Sequence, residues 1–361
     1  MKILHVDTEK GWRGGEQQLF YLVKGLKEKG IESAIACRKG DELEKKCKES
    51  GFTTIPLSGR QFEDIFRIGI VGKEFDIIHA HAAKAHTISA LSKKFHQKPV
   101  IYTRRVDYLP KKNRVTALKY RLTDKVVAIS KYVKEVLEES IKIPTDKLSV
   151  IYSAVDTEIE KNVDYEKVER IKKELKGKPL IGTAAALTQQ KNIPNFIEAA
   201  KILIKRYPEA KFVVAGEGKL RKELQSLIER LNLQENFKLL GFKKDIQNYI
   251  KAFDIFVLPS DFEGLGSSIL IAMFLKVPVV STDAGGTKEV VIDGKTGILV
   301  PKKNPQALAE GILRLLEDEK LKEQVTSNAY SMVMDKFSVD KMVDAYIALY
   351  GEVIKSGKNL G

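Results

Sequence analysis

The sequence predicts an α/β protein of two Rossmann-like, doubly wound domains facing a central cleft, and three observations lead there. At 361 residues the chain exceeds what one ordinary core organises, so two domains of roughly 150–200 residues are expected. Short runs rich in Val and Ile recur, each followed by a stretch of helical period; such runs read as parallel strands buried on both faces. The alternation lapses after residue 160 and then restarts, so the same architecture occurs twice.

In the first half the strands are KILHVD, ESAIAC, FTTIPL, DIIHAH, PVIYTRR and KVVAIS, and KLSVIYSAVDTEIE adds a last strand with its exit. GEQQLFYLVKGLKEKG, residues 15–30, is the first crossover helix. This domain is expected over 1–160. DYEKVERIKKELKGK, charged and strongly helical, reads as the separator of the halves. The second domain, expected over 165–337, takes PLIGTAAA, KFVVAGEG, NFKLLGF, DIFVLPS, VPVVST and GILVP as strands. The terminal FSVDKMVDAYIALYGEVI is an amphipathic helix within 338–361 that could pack on either domain.

Composition narrows the class. Hydrophobic residues at 43% and charged residues at 30% are those of a globular protein, not a disordered one. Lys and Arg number 62 against 48 Asp and Glu, a net charge of +14 that favours anionic partners: nucleotides, acidic lipids or nucleic acid. No stacking platform or nucleic-acid reader motif accompanies the charge, so nucleic acid is not expected. Cys37 and Cys47 are too few for a disulfide framework or a metal quartet and fit a reducing cytoplasm. The opening MKILHVDTEKGW is apolar for only one strand's length, so neither a signal peptide nor a spanning helix is expected there.

The chemistry sits at strand ends. After DIFVLPS the loop carries Glu263, Gly264, Leu265 and Gly266, then a helix opening on Ser267 and Ser268. Glycines admit close backbone approach, and free N–H groups at a helix start take phosphate oxygens. A tight turn alone would use the same glycines. Glu263 is the discriminating residue: an acid beside an expected diphosphate is unfavourable unless it accepts hydrogen bonds from ligand hydroxyls. Gly14 and Gly15 form a similar turn before the first helix. Lys191 lies on the loop after the first strand of the second domain, and Gly216 lies in the strand-end turn AGEGKL. A Lys about 4 Å from a diphosphate gains roughly 4 kcal/mol at an effective dielectric of 20, before desolvation.

Other motifs fail. GKT at 294–296 has Glu289 where a P-loop needs its first Gly, and there is no Asp-x-Asp pair, serine nucleophile elbow or kinase signature. His79 and His81 could face one way on a strand, with His86 beyond; lacking Cys or acidic co-ligands, they read as polar cleft residues rather than a metal site.

These stretches together resemble the retaining family-4 glycosyltransferases of GT-B fold. The likeness covers nearly the whole chain: the glycine pair at 14 and 15, DIIHAH, VVAISKYVKEVL, VIYSAVD, GEGKLRKEL, LLGFKKDIQNYIKAFDIFVLPSDFEGLGSSIL and PVVSTDAGGTKEVVIDGKTGILV. CRKGDELEKKCKESG and YTRRVDY further resemble members that act on lipopolysaccharide and related envelope glycans. The resemblance implies a metal-independent hexosyltransferase without cofactor, moving a sugar from a nucleotide diphosphate sugar to an envelope glycan or glycolipid. It makes Glu263 the first acid of an E-x7-E motif contacting the donor sugar, and Lys191 the diphosphate ligand. Both count as catalytic, with His81. Gly264, Leu265, Gly266 and Ser267 would face phosphate; Gly216, Gly241 and Phe242 would border the nucleotide. Gly14 and Gly15 would approach the donor from the first domain, Arg104 and Arg105 would meet an anionic acceptor, and the terminal helix would return to the first domain.

Two positions depart from the family pattern. The second acid of E-x7-E falls on Ile271, which reads as core in the apolar SSILIAMFL, and the expected Arg before Lys191 falls on Ala186. They motivate one alternative, a degenerate non-catalytic subunit that binds nucleotide or glycan; a non-transferase GT-B enzyme such as a nucleotide-sugar 2-epimerase is the other. Finally, TRRVDYLPKKNRVTALKYRL mixes cations with Tyr, Leu and Val, a composition suited to peripheral contact with an anionic membrane at its cytoplasmic face.

Overall fold

A computed structural model describes residues 1–105 and 113–358. Part of the basic stretch named above, residues 106–112, lies outside the described residues. The chain divides into two compact units, Met1–Ala154 with Val339–Gly361, and Val155–Ser338.

The first unit is a seven-stranded parallel sheet of β1 (Lys2–Val6), β2 (Glu32–Arg38), β3 (Thr53–Leu57), β4 (Ile77–Ala80), β5 (Val100–Arg104), β6 (Lys125–Ala128) and β7 (Leu148–Val150), in the order β3-β2-β1-β4-β5-β6-β7. The order reverses between β1 and β4, which makes their carboxyl ends the switch point where such sheets bind ligands. Register there pairs His5 with His79. Ile3, Ile77, Ile101 and Val127 form one face of the core, covered by Leu22 and Leu26 of the helix Gly14–Glu28 and by the terminal helix Val339–Lys358. Val343, Tyr346 and Tyr350, three and four residues apart, form that helix's buried stripe. Gly25 lets the two helices touch: a Cβ there would lie 2.5 Å from Val343.

The second unit is a six-stranded parallel sheet of β8 (Leu180–Ala184), β9 (Lys211–Ala215), β10 (Phe237–Gly241), β11 (Ile255–Leu258), β12 (Val279–Thr282) and β13 (Ile298–Val300), in the order β10-β9-β8-β11-β12-β13. Its switch point lies between β8 and β11. Phe196, Phe212 and Phe237 pack edge-on and stacked at the centre of its core.

The boundary differs from the expected 160/165 division. Val155 already belongs to the second unit, its N–H donating to Phe337 O at 2.8 Å. The charged stretch read as a separator forms the helix Tyr165–Leu175, which packs on the helix Ile246–Ala252 through buried Val168 and Ile171. Its high charge hid the apolar stripe that holds it to the domain.

Candidate active site

In the second unit the exits of β8 and β11 meet at the switch point. Glu263 is 6% exposed, and its Oε1 accepts hydrogen bonds from Lys191 Nζ at 2.5 Å and Ser260 Oγ at 2.7 Å. A carboxylate this buried is tolerated because it is paired and hydrogen-bonded; alone it would cost several kcal/mol. Its main chain is clamped on both sides: the Glu263 N–H donates to Ala284 O at 2.8 Å, and the Gly286 N–H donates to Glu263 O at 2.9 Å. Gly286 is obligatory, since a Cβ there would stand 1.9 Å from Gly264 O. The lysine is fixed as firmly. It ends the 3-10 turn Gln189–Lys191, which the Asp261 N–H joins at Gln190 O (2.8 Å) and Asn192 Nδ2 joins at Asp261 Oδ1 (2.9 Å).

Directly after this pair, Gly266 adopts φ +90° and caps the helix Ser267–Phe274, whose start has no side-chain cap. Only glycine takes that backbone readily, and the uncapped N–H groups carry the positive end of the helix dipole. Leu265 anchors the loop from below at 2% exposure, while Ser267 is exposed. The acid, the lysine and the helix start therefore form one polar surface at the end of β11. Ile271 corrects its reading as core. Ile269, Leu270, Ala272, Met273 and Phe274 are buried, but Ile271 is only half-buried, one turn beyond Ser267 on the same face. Ala186 is exposed.

At the β10 exit Gly241 takes φ +77° and Phe242 stands 62% exposed. Gly216 has a reason of its own: a Cβ there would lie 1.9 Å from Ala185 O, so crowding by a neighbouring chain segment, without any ligand, requires glycine.

In the first unit the β1/β4 switch point holds His5, His79 and His81, all buried, with ring nitrogens from all three within 4.8 Å of one another. His5 Nδ1 lies 3.0 Å from His81 Nε2. His79 is engaged on both sides, Nδ1 with Tyr350 OH at 2.7 Å and Nε2 with Thr103 Oγ1 at 2.8 Å, and Thr103 Oγ1 meets Tyr346 OH at 2.9 Å. His79 is thus tied to the terminal helix, while His5 and His81 pair with each other; a metal would have to displace the partners of His79. Burial pushes the imidazole of His5 down to about 3 and holds His79 and His81 well below the usual range, with neighbouring rings and Arg105 adding to the effect. All three are neutral at pH 7.

Beside them Asp7, 2% exposed, has its carboxyl raised to about 7, chiefly by burial and against the N–H of Glu9 that it accepts at 2.8 Å. Arg105 Nη2 lies 3.4 Å from His81 Nδ1. Arg104 goes elsewhere. Strand alternation turns it away from Arg105, and it is buried near Lys119 and His86, both of which its charge helps to lower. The two arginines do not form the adjacent anion site expected of them. Gly14 and Gly15 open their helix without positive φ, and a Cβ on Gly15 would make only ordinary contact, 3.7 Å from Arg105 Cδ. Neither strain nor crowding therefore requires glycine at residue 15.

His5, Ser260, Tyr346 and Tyr350 are the components that sequence reasoning missed. His5 and His79 each stand next to last in their strands, a coincidence that could have paired them.

Residues 12–159 match the model for Glycosyltransferase Family 4, and residues 164–332 match that for glycosyl transferases group 1. An uncharacterized glycosyltransferase of Methanocaldococcus jannaschii is 31% identical over 80% of this chain and 79% of its own. The Escherichia coli UDP-Gal:alpha-D-GlcNAc-diphosphoundecaprenol alpha-1,3-galactosyltransferase is 27% identical over 78% and 76%. Anabaena HepE, solved with UDP, superposes with a TM-score of 0.87 at 21% identity, covering 98% of this chain and 100% of HepE. Two Rossmann-like domains with these matches define the GT-B class. The chain belongs to the group 1, family 4 glycosyltransferases, and it is a glycosyltransferase enzyme.

Proposed function

We propose that the protein is a retaining, metal-independent glycosyltransferase that moves a sugar from a nucleotide diphosphate sugar to a cell-envelope glycan or glycolipid, such as a lipopolysaccharide core. One observation carries the reading: Glu263, Lys191 and the uncapped helix start at Gly266 converge at the switch point of the second sheet. Breaking a sugar–diphosphate bond builds negative charge on the leaving phosphate and cationic character on the sugar, so fixed positive potential is needed at the phosphate. Lys191 and the helix start supply it without a cation. Glu263 turns its carboxylate toward sugar hydroxyls, and Lys191 is shared between that carboxylate and the diphosphate when donor arrives. The leaving phosphate itself accepts the proton of the acceptor hydroxyl on the same face, so no separate base is required and configuration is retained.

In this reading Gly264, Leu265, Gly266 and Ser267 serve phosphate, Gly241 and Phe242 border the base, Gly14, Gly15 and His81 serve the donor, and Arg105 serves an anionic acceptor. HepE has been solved with UDP and with UDP-glucose, and the E. coli relative is by name a UDP-Gal transferase acting on a diphosphoundecaprenol-linked sugar; these support the donor and acceptor classes. Contact with an anionic membrane and a place at the cytoplasmic face are part of the proposal. Among the described residues no helix is long and apolar enough to cross a membrane.

The test is incubation with a panel of UDP-, ADP- and GDP-sugars and an envelope glycolipid extract, with and without chelator, and assignment of the product anomer by NMR. A chelator-insensitive product with the donor's anomeric configuration is expected. Inversion, or loss of activity with chelator, contradicts the mechanism. Sugar epimerisation without acceptor points to the 2-epimerase type, and nucleotide binding without turnover to a degenerate subunit, the reading that Ile271 and Ala186 favour.

A further inference from the structure

On the helix Gln61–Val71, Phe62, Phe66 and Ile70 are 80%, 57% and 69% exposed. Spaced four apart, they form one continuous stripe, while Asp64, Ile65, Ile68 and Gly69 bury the opposite face. The stripe widens sideways. Phe66 lies 5.4 Å from the ring of Phe95 on the packed neighbour helix Ala83–His96, and Gly69 seats that contact, since a Cβ there would be 2.9 Å from Phe95. An aromatic side chain buries about 150–250 Å² when covered, so a patch of this kind is uncommon on a surface that meets only water.

Its surroundings are cationic. Arg60 and Arg67 flank the stripe, Lys94 stands over the Phe95 ring at 4.9 Å, and Arg114 and Arg121 are exposed on the next helix of the same layer, Arg114–Leu122. Against them stand Glu63, already paired with Arg60 at 2.8 Å, and Glu74. A two-fold contact with a second copy would set these cations against themselves. An anionic lipid surface complements both features: apolar side chains enter the acyl boundary while cations meet headgroups.

We infer that the helix Gln61–Val71 is a membrane-docking element, inserting Phe62, Phe66 and Ile70 into an anionic bilayer with Arg60, Arg67 and Lys94 on the headgroups. It deepens the peripheral contact proposed above and moves its centre from the 103–122 stretch to this helix; the transfer chemistry is tested separately.

Full-length protein is sedimented with phosphatidylglycerol–phosphatidylcholine vesicles and with phosphatidylcholine alone. Wild type binds the anionic vesicles, less so as salt rises. Phe62→Ser with Phe66→Ser lowers the apparent affinity about tenfold or more, and Arg67→Glu with Lys94→Glu removes the preference for anionic lipid. Nucleotide-sugar turnover in vesicle-free buffer is unchanged in the serine variant, which separates this result from a failure of the enzymatic reading. Should that variant not fold, Ile70→Asn replaces it, and Phe62→Trp in a Trp12→Phe background must shift its emission to the blue on adding vesicles. Absence of vesicle binding by wild type, equal binding to neutral vesicles, or a self-association abolished by the serine variant in place of lipid binding overturns the inference.

Discussion

The two units share a parallel, doubly wound sheet, yet they handle polar chemistry at their switch points in opposite ways. All five histidines of the chain lie in the first unit, at 5, 79, 81, 86 and 96, each buried and each held below its usual pKa. The second unit has none, and places instead an ion pair, Lys191–Glu263, with 20% and 8% of the side chains exposed. At one switch point the histidines are neutral and His79 is tied to the terminal helix; the other keeps opposite charges on clamped loops. The difference lies in the side chains rather than in the shared topology.

Acid should separate the units most strongly. A histidine with a folded pKa depressed below about 6.5 takes up its proton in the unfolded chain first, so its stabilising contribution is present above that value and lost as pH falls. Each contributes a slope of up to about 1.4 kcal/mol per pH unit, down to about 3 for His5 and about 4 for His96. Asp7, raised to about 7, works the other way between the unfolded 3.8 and 7, as does Glu16, which burial also raises, but these are two groups against five. Trp12, the only tryptophan, sits in the first unit and donates Nε1–H to Gln17 at 3.0 Å. Its fluorescence should report unfolding between pH 6 and 4, using roughly the window those pKa values set, before full loss of far-UV circular dichroism. Coincident transitions would break the contrast.

Next in size is Lys191→Ala, which should lower donor turnover about 10²–10³-fold by removing positive charge from the leaving phosphate. It also strands Glu263. Lys191→Met with Glu263→Gln should regain the thermal stability lost in the single variant without regaining turnover, as judged by melting and product release. Tyr350→Phe is smaller: it deprives buried His79 of a partner at 2.7 Å and should destabilise the first unit by about 1–3 kcal/mol in denaturant titrations followed at Trp12. Least of all, Ile271→Glu restores an acid at a half-buried site on the exposed face of its helix and should change nucleotide affinity by about tenfold or less, measured calorimetrically.

Much of this was legible in the sequence. Val- and Ile-rich runs identify each strand because a strand covered on both faces tolerates little else, and Glu263 stands out because an acid among glycines at a strand end has no packing reason to be there. What the sequence concealed depends on distance along the chain. Tyr350 and His79 are 271 residues apart and meet only because the terminal helix crosses the first sheet. Arg104 and Arg105 look equivalent in a string of letters, but a strand sends them to opposite faces. Ile271 sits in an apolar run whose helical phase, not its composition, exposes it.

The central claim is that Glu263 and Lys191 work on a nucleotide-activated sugar. Release of nucleoside diphosphate from the UDP-, ADP- and GDP-sugar panel should be measured for wild type and Glu263→Ala, alongside nucleotide binding. The account predicts release from one donor class by wild type and its loss in the variant, with the nucleotide still bound. Release that survives Glu263→Ala unchanged, or none from any donor by a folded, nucleotide-binding wild type, would contradict it.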